Sequence, residues 1–322
     1  MGGKALSVLG ITVDRIEGKT YYQTLCLRLC TMLQKYYKQV EALPQCSWKE
    51  SFGDIDILVC EPILPLDIPM SIKRGDYTSF LYEDAGKKYQ VDLIHLQPSF
   101  FAFGKFQLFS DMSACLGGIC KKMNLKFSHD GLWYCGSEIG NKLLLTSDVN
   151  CFLRFMGIDV SIQPFGVKSY EEFFAYLLTC HFDLRNYIIN TYESFLIDPI
   201  AKGLDRKSKN FKNNRQCFIR FVAYCKEYSN KKQYKELLPP EECIASFGEE
   251  KLLEYQARKE MLRMHEAFRK KCNGKRFQRL LGLEGAELGS CIESFVCTYG
   301  KEQILSMEEN ALDSLIMSFG KK

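Results

Sequence analysis

The chain has 322 residues, of which 46% are hydrophobic and 25% are charged, and its net charge is +4. This composition is that of a globular protein and excludes an intrinsically disordered chain. No apolar run approaches the roughly 18 residues that a membrane-spanning helix needs, and the first ten residues lack the apolar core of a secretory signal. We therefore expect an intracellular protein, in the cytoplasm or the nucleus, with no membrane partner.

The first predicted element is a helix over 20–40, where apolar residues recur at helical spacing. Pro44 must end this helix, because proline disfavours helical geometry in the residue before it. A buried strand follows around Ile55 to Val59. Two further strands are predicted at 77–83 and 88–96, and the turn Asp84-Ala85-Gly86 between them indicates a hairpin.

Helices are predicted at 100–109 and 112–123, followed by an extended stretch at 125–134 and a mainly helical pattern from Ser147 onward. The predicted fold class is α+β: a mixed or antiparallel sheet with helices on one side, followed by a mainly helical C-terminal domain. The predicted domains are a catalytic core over 1–100, its completing helices and extended segment over 101–165, and a helical basic domain over 166–322.

Charge is distributed unevenly along the chain. Residues 202–235 contain eleven Lys or Arg and two acidic residues, and residues 251–276 contain nine and three. These two stretches carry +9 and +6, so the remainder of the chain carries −11. An acidic part and a basic part predict that chemistry occurs in one and polyanion binding in the other. A solvated helical face is the alternative for either stretch.

The fifteen cysteines begin at Cys26 and end at Cys297, and none of them forms a C-x-x-C pair. Zinc sites usually show ligand pairs at such short spacing. An odd number of cysteines also argues against a complete disulfide framework. We therefore interpret the cysteines as reduced thiols that pack as small hydrophobic residues.

Three aspartates form the candidate active site. Asp54 and Asp56 stand two residues apart at a strand start, so their side chains project from one face. Asp92 lies within an apolar strand, where a charge needs a partner. If the strands are adjacent, the carboxylates repel each other and at least one pKa rises unless cations bind. Two Mg²⁺ ions, with Mn²⁺ as the substitute, would satisfy the three carboxylates and also serve phosphoryl transfer.

Around these aspartates the sequence resembles the polymerase-beta-like nucleotidyltransferase superfamily, and within it the palm domain of family X DNA polymerases. KESFGDIDILV resembles the first metal motif and YQVDLIHLQP the strand of the third aspartate, while MNLKFSHDGLWY and TSDVNCFLRFMGID are similar to the segments that follow. The resemblance covers about residues 40–160. It implies that Asp54 and Asp56 bind both metal ions, and that Asp92 is a ligand and the base for the primer hydroxyl.

The chain departs from the family at the triphosphate motif. The family places Gly-Ser and two arginines before the metal motif, and LPQCSW stands there instead. We therefore assign nucleotide binding to Ser47, Lys49, Ser51 and Gly53, since glycine lets the backbone approach phosphates closely. FQLFS stands where the family has a Thr-Gly turn near the sugar. The choice between an NTP and a dNTP therefore stays open.

The segment FRKKCNGKRFQRLLGLEGAELGSCIESF is similar to the C-terminal part of CCA-adding and phage nucleotidyltransferases. Cations in the last turn of a helix oppose its dipole, which explains part of this basic segment without a ligand. The basic residues continue beyond the turn, which favours contact with a phosphate backbone. The predicted nucleic-acid-binding residues are Lys207, Lys209, Lys212, Arg215, Arg269, Lys270, Lys271, Lys275, Arg276 and Arg279.

The sequence thus predicts a metal-dependent nucleotidyltransferase that adds a nucleoside monophosphate to the 3′ hydroxyl of DNA or RNA. Three alternatives remain. The first is an RNA- or tRNA-tailing enzyme, and the second is a catalytically silent nucleic-acid-binding protein. The third is a transferase that modifies a protein or a small molecule, which would not need the basic C-terminal half.

Overall fold

The protein is a mixed α+β structure, as the sequence predicts. The computed structural model describes residues 5–162, 164–184, 216–227 and 233–320. Contacts divide the chain into unit 1, Met1–Cys135 with Lys142–Glu249, and unit 2, Gly136–Asn141 with Glu250–Lys322. The predicted boundaries after residues 100 and 165 both fall within unit 1, and they stay predictions. No helix of the described residues is long and apolar enough to cross a membrane.

The described residues of unit 1 form three separate sheets. The strands among the described residues are β1 Ile16–Glu17, β2 Tyr37–Ala42, β3 Ser51–Phe52, β4 Ile55–Pro62, β5 Ser71–Arg74, β6 Tyr77–Asp84, β7 Lys87–Leu96, β8 Leu125–Ser128, β9 Gly131–Tyr134 and β10 Leu143–Thr146. The sheets have the orders β1-β3, β10-β9-β8 and β2-β4-β7-β6-β5. In the five-stranded sheet β4 and β7 are parallel, and all other neighbours are antiparallel.

The helices of unit 1 occur between these strands and after them. Within the described residues they are α1 Lys19–Leu33, α2 Phe101–Leu108, α3 Met112–Lys122, α4 Val149–Met156, α5 Tyr170–Leu178, α6 Gln216–Glu227 and α7 Pro240–Ala245. The predicted helices at 100–109 and 112–123 are thereby confirmed as α2 and α3. The predicted strands at 77–83 and 88–96 are confirmed as β6 and β7.

The predicted hairpin between β6 and β7 is confirmed, and its turn consists of the two residues Ala85 and Gly86. Asp84 pairs with Lys87 across it, and the two central residues, Ala85 and Gly86, have φ values of 50° and 77°. Positive φ at both central positions is typical of a type I′ turn, whose backbone twist matches the right-handed twist of the flanking strands. This turn sets the register of the long β6–β7 ladder.

The predicted helix over 20–40 is too long. Helix α1 ends at Leu33, and residues 37–42 form the edge strand β2. Tyr36 continues the helical spacing, but its carbonyl accepts a hydrogen bond from Ile63 N at 2.7 Å instead. The backbone groups of β2 bond to β4, and this long-range pairing outweighs the local helical pattern.

Helix α1 covers one face of the five-stranded sheet. Its residues at helical spacing, including Leu25 and Leu29, pack on alternating residues of the central strands, including Ile57 and Leu93. On the opposite face Phe101 of α2 contacts a second apolar cluster. The prediction of helices on one side is therefore wrong in this detail, because the ends of β4 and β7 are apolar on both faces and both need a cover.

Helix α2 approaches the end of β7 closely because Gly104 has no side chain. A Cβ atom at Gly104 would lie 2.7 Å from Leu96 Cδ1 and 3.0 Å from the carbonyl oxygen of His129. Next to this contact, Phe127 of β8 stacks on Phe152 of α4 with ring centroids 4.6 Å apart. Aromatic packing therefore joins the three-stranded sheet to the helices α2 and α4.

Unit 2 has a hydrophobic core of its own. Its helices within the described residues are α8 Glu249–Lys271, α9 Gly274–Leu281, α10 Gly285–Tyr299, α11 Lys301–Ser306 and α12 Glu309–Phe319. Phe277, Phe295 and Ile316 are fully buried at the centre of this core. The mainly helical pattern predicted after Ser147 is confirmed over the described residues.

Buried and exposed leucines of α1 should differ sharply in their contribution to stability. Leu29 is 0% exposed and Leu27 is 70% exposed. We expect Leu29→Ala to lower the free energy of unfolding by about 3 kcal/mol because it leaves a cavity, and Leu27→Ala to change it by less than about 0.5 kcal/mol. Urea unfolding followed by circular dichroism measures both. Equal effects of the two substitutions would contradict the packing of α1 on the sheet.

Candidate active site

The three aspartates lie on one face of the five-stranded sheet. The parallel register of β4 and β7 pairs Asp56 with Asp92, and neighbouring strands are about 4.8 Å apart. Asp54 precedes β4 and shares the face of Asp56 by alternation. All three side chains are half-buried. The adjacency of the strands, which the sequence leaves conditional, is therefore present.

Burial and repulsion between carboxylates raise the pKa of Asp56 and Asp92. Burial, followed by the charges of Asp54 and Asp92, raises the pKa of Asp56 to about 8, and the nearby Lys49 ammonium lowers it. Burial and the charge of Asp54 also raise the pKa of Asp92, while hydrogen bonds oppose that rise. The site thus holds negative charge that the protein itself compensates only in part.

Asp92 has two buried polar neighbours on the same face. Gln90 Nε2 donates to both carboxylate oxygens of Asp92, at 2.9 Å and 3.0 Å. Ser79, its register partner on β6, also bonds to its side chain. Neither residue is among those predicted from the sequence. Gln90 was detectable in principle, because a polar residue two positions before Asp92 in an apolar strand must share its face.

Two of the predicted nucleotide-binding hydroxyls are bonded within the chain. Ser47 Oγ donates to the carbonyl oxygen of Lys168 at 2.8 Å. Ser51 lies in β3, and its Oγ donates to Glu17 Oε1 at 2.9 Å. Gly53 lies between β3 and β4, directly before Asp54. A phosphate group would have to compete with these internal bonds of Ser47 and Ser51.

Lys49 is the predicted phosphate-binding residue whose charge reaches the aspartates. It lowers the pKa of Asp56. Its ammonium group donates to Gln45 Oε1 at 2.8 Å and lies 4.9 Å from the centre of the Phe52 ring. A half-buried cation beside three carboxylates can attract an anionic ligand that the carboxylates alone would repel.

The aspartates suit a hard divalent cation by their chemistry, although their side chains do not yet converge. Within the described ranges, no three His, Cys, Asp or Glu side chains are oriented as a ready metal-binding group. Asp54, Asp56 and Asp92 nevertheless supply only oxygen ligands, which Mg²⁺ and Mn²⁺ prefer. A bound cation would reverse the repulsion that raises the pKa of Asp56.

The predicted nucleic-acid-binding residues separate into three groups. Lys207, Lys209, Lys212 and Arg215 lie outside the described residues. Lys271 and Arg276 are half-buried and bond within unit 2. The exposed members are Arg269, Lys270, Lys275 and Arg279.

Arg276 joins the helices of unit 2. Its guanidinium group is 9% exposed and forms ion pairs with Glu309 and, at 2.6 Å, with Asp313. Lys271 Nζ donates to the carbonyl oxygen of Leu305 at 2.7 Å. Asn273 Oδ1 accepts from Arg276 N at 3.0 Å and caps the start of α9. Lys271 and Arg276 therefore bond within unit 2. Of the exposed cations, Arg279 also pairs with Asp313, at 3.3 Å.

The geometry of the three aspartates has to carry the functional assignment by itself. No protein-family model matches the chain, and no curated protein matches its sequence.

The raised pKa of Asp56 predicts how the stability of the metal-free protein depends on pH. A carboxyl group whose pKa rises from 3.8 to about 8 on folding destabilises the native state progressively as pH rises between these values. Asp56→Asn removes this cost. We expect the variant to gain little at pH 5 and on the order of 2 kcal/mol at pH 9, relative to the native sequence, since partial exposure reduces the full linkage energy.

Thermal unfolding in EDTA at a series of pH values measures this difference. Glu83→Gln on β6 is the matched control, because Glu83 is exposed on the same sheet and its substitution should change stability little at any pH. A constant difference between Asp56→Asn and the native sequence from pH 5 to 9 would contradict the repulsion among the carboxylates.

Proposed function

We propose that the protein is a metal-dependent nucleotidyltransferase with a polymerase-beta-like palm. It would transfer a nucleoside monophosphate from an NTP or dNTP to the 3′ hydroxyl of a nucleic acid, with release of pyrophosphate. The observation that carries the proposal is the parallel register of Asp56 and Asp92, with Asp54 on the same face. Burial and the neighbouring carboxylate charges raise the pKa of Asp56 and Asp92, which destabilises the fold, and such arrangements concentrate at functional sites.

The aspartates have two roles in the proposed transfer. Asp54 and Asp56 would hold Mg²⁺ or Mn²⁺, which would supply positive charge at the phosphate oxygens. Asp92 contributes a ligand and accepts the proton of the attacking 3′ hydroxyl on a carboxylate oxygen. Gln90 and Ser79 donate hydrogen bonds to the carboxylate of Asp92, and these bonds favour its ionised form, which a base requires.

The triphosphate would be bound by few side chains. Lys49 supplies a cation beside Asp56, and the backbone around Gly53 can approach a phosphate closely. The hydroxyls of Ser47 and Ser51 already bond within the chain. This observation favours a second candidate, a catalytically silent nucleic-acid-binding protein, which would bind an acceptor without turnover.

The exposed cations of unit 2 are proposed to bind the acceptor. Arg269 and Lys270 end α8, and Lys275 and Arg279 lie on α9. All four are exposed, so they can contact phosphates, whose binding is sequence-independent and sensitive to salt. Either DNA or RNA presents such phosphates, so both acceptors belong in the test.

Loss of the Asp92 carboxylate should abolish transfer while leaving acceptor binding. The assay contains Mg²⁺ or Mn²⁺, labelled NTPs or dNTPs, and primed DNA or total RNA. We expect extension by the native sequence and a fall on the order of 10² to 10⁴ in rate for Asp92→Asn, the usual cost of losing a general base. Glu83→Gln should keep the native rate.

No extension of any acceptor by the native sequence, with acceptor binding intact, would support the silent binding protein instead. Equal extension by Asp92→Asn and the native sequence would exclude the assigned role of Asp92.

Removal of exposed cations from unit 2 should weaken acceptor binding and its dependence on salt. We expect Lys270→Gln and Lys275→Gln each to reduce the slope of log K against log salt concentration by about 1, because each lost phosphate contact releases one counterion fewer. Lys87→Gln is the control, since Lys87 is exposed on β7 of unit 1. Fluorescence anisotropy with labelled DNA and RNA at several salt concentrations measures the slopes. Unchanged slopes for both variants would exclude these two residues from the acceptor site.

A further inference from the structure

The amino-terminal segment, residues 5–14, is bonded to the strand that carries Asp92. Residues 5–9 form a short 3-10 helix in which Leu6 is fully buried. Asp14 exchanges two hydrogen bonds with Lys88 of β7: Asp14 N donates to the Lys88 carbonyl at 2.6 Å, and Lys88 N donates to Asp14 Oδ2 at 2.8 Å. The segment is therefore fastened to β7 at a point close to Asp92 in sequence.

Gln90 connects this segment to Asp92 through its side chain. Gln90 Oε1 accepts hydrogen bonds from Ala5 N at 2.9 Å and Leu6 N at 3.4 Å. Its Nε2 donates to both oxygens of Asp92. Gln90 is 2% exposed, so water does not replace either set of bonds.

The hydrogen-bond partners of the Gln90 side-chain amide allow it only one orientation. Main-chain N–H groups can only donate and an ionised carboxylate can only accept. A rotation of the amide by 180° would place Oε1 against Asp92 and Nε2 against the N–H groups of Ala5 and Leu6, which is unfavourable at both ends. Because the backbone of the amino-terminal segment holds Oε1, it directs Nε2 of Gln90 towards both oxygens of Asp92.

We propose that Gln90 is a positioning residue through which the docked amino-terminal segment orients Asp92 for ligand binding. This inference rests on the proposed function, because Asp92 is there both ligand and base. Displacement of residues 5–9 would free the Gln90 amide to rotate and would remove the directed donor from Asp92. The amino-terminal segment therefore regulates the site by its docking. An apolar residue could fill position 90 in a buried strand, so the bonds of Gln90 are not needed to form β7.

The test combines two substitutions in the hydrogen-bonded connection from Ala5 and Leu6 through Gln90 to Asp92 with two matched controls. Gln90→Met keeps the approximate volume and removes both sets of bonds, and Ala5→Pro removes one N–H donor at the start of a helix, where proline is tolerated. Gln39→Met changes an exposed glutamine on β2, and Val8→Ala changes an exposed residue of the same 3-10 helix. Calorimetric titration with Mn²⁺ reports on Asp92, and amide hydrogen exchange of residues 5–9 reports on docking.

We expect Gln90→Met to weaken Mn²⁺ binding about 10- to 100-fold, as loss of a residue that orients a metal ligand usually does, and to accelerate exchange in residues 5–9. Ala5→Pro should change both quantities in the same direction by a smaller factor. Gln39→Met and Val8→Ala should leave Mn²⁺ binding unchanged. Native Mn²⁺ affinity in Gln90→Met, or native exchange rates in residues 5–9 of that variant, would overturn the proposal.

Failure of the proposed function gives a different result. If the native sequence neither binds Mn²⁺ nor extends any acceptor, the nucleotidyltransferase assignment is wrong, and Asp92→Ala then decides the connection. Faster exchange at Ala5 and Leu6 in Asp92→Ala supports the connection from the segment to Asp92, because Gln90 has lost one of its two anchors. Native exchange at both amides in that variant overturns it.

Discussion

The parallel pairing of β4 and β7 brings the carboxylates of Asp56 and Asp92 together. Packing in the rest of unit 1 offsets the repulsion between them. Asp56 and Asp92 are register partners, and their burial beside Asp54 raises the pKa of Asp56 to about 8. The same strands bury Ile57 and Leu93 under α1, and burial of side chains of this size contributes roughly 1.5–3 kcal/mol each. Apolar packing on one face therefore offsets electrostatic repulsion on the other, and holds the carboxylates near each other without a bound ion.

The sheet face that carries the three aspartates is polar at one end of the strands and apolar at the other. At one end lie the aspartates, with Gln90 and Ser79 bonded to Asp92. Towards the other end the face is apolar and is covered by Phe101 of α2. At the acidic end Asp54, Asp56 and Asp92 are half-exposed, so a ligand can reach the sheet there. The approach of α2, which the small Gly104 permits, thus helps to define where chemistry could occur.

Unit 2 shows why a basic sequence is not by itself a binding surface. Arg276 and Lys275 are adjacent, but the first is 9% exposed and paired with Glu309 and Asp313, whereas the second is exposed. Removing one member of a buried pair costs stability through the unpaired charge that remains. The basic pattern therefore combines two physical roles. The proposed acceptor contacts fall to the exposed cations, of which Arg279 also pairs with Asp313 at 3.3 Å.

The sequence by itself determined features that depend on neighbouring residues. Alternation along a strand puts Asp54 and Asp56 on one face, and the turn at Ala85 and Gly86 specifies the β6–β7 hairpin. Only the tertiary structure decided that β7 lies parallel to β4 with Asp92 beside Asp56, that residues 37–42 leave the helical pattern to form β2, and that the amide of Gln90 reaches Ala5. These features depend on hydrogen bonds and packing between residues far apart in the chain. Local periodicity describes which face a side chain occupies, but the partner of that face is selected by the free energy of the whole fold.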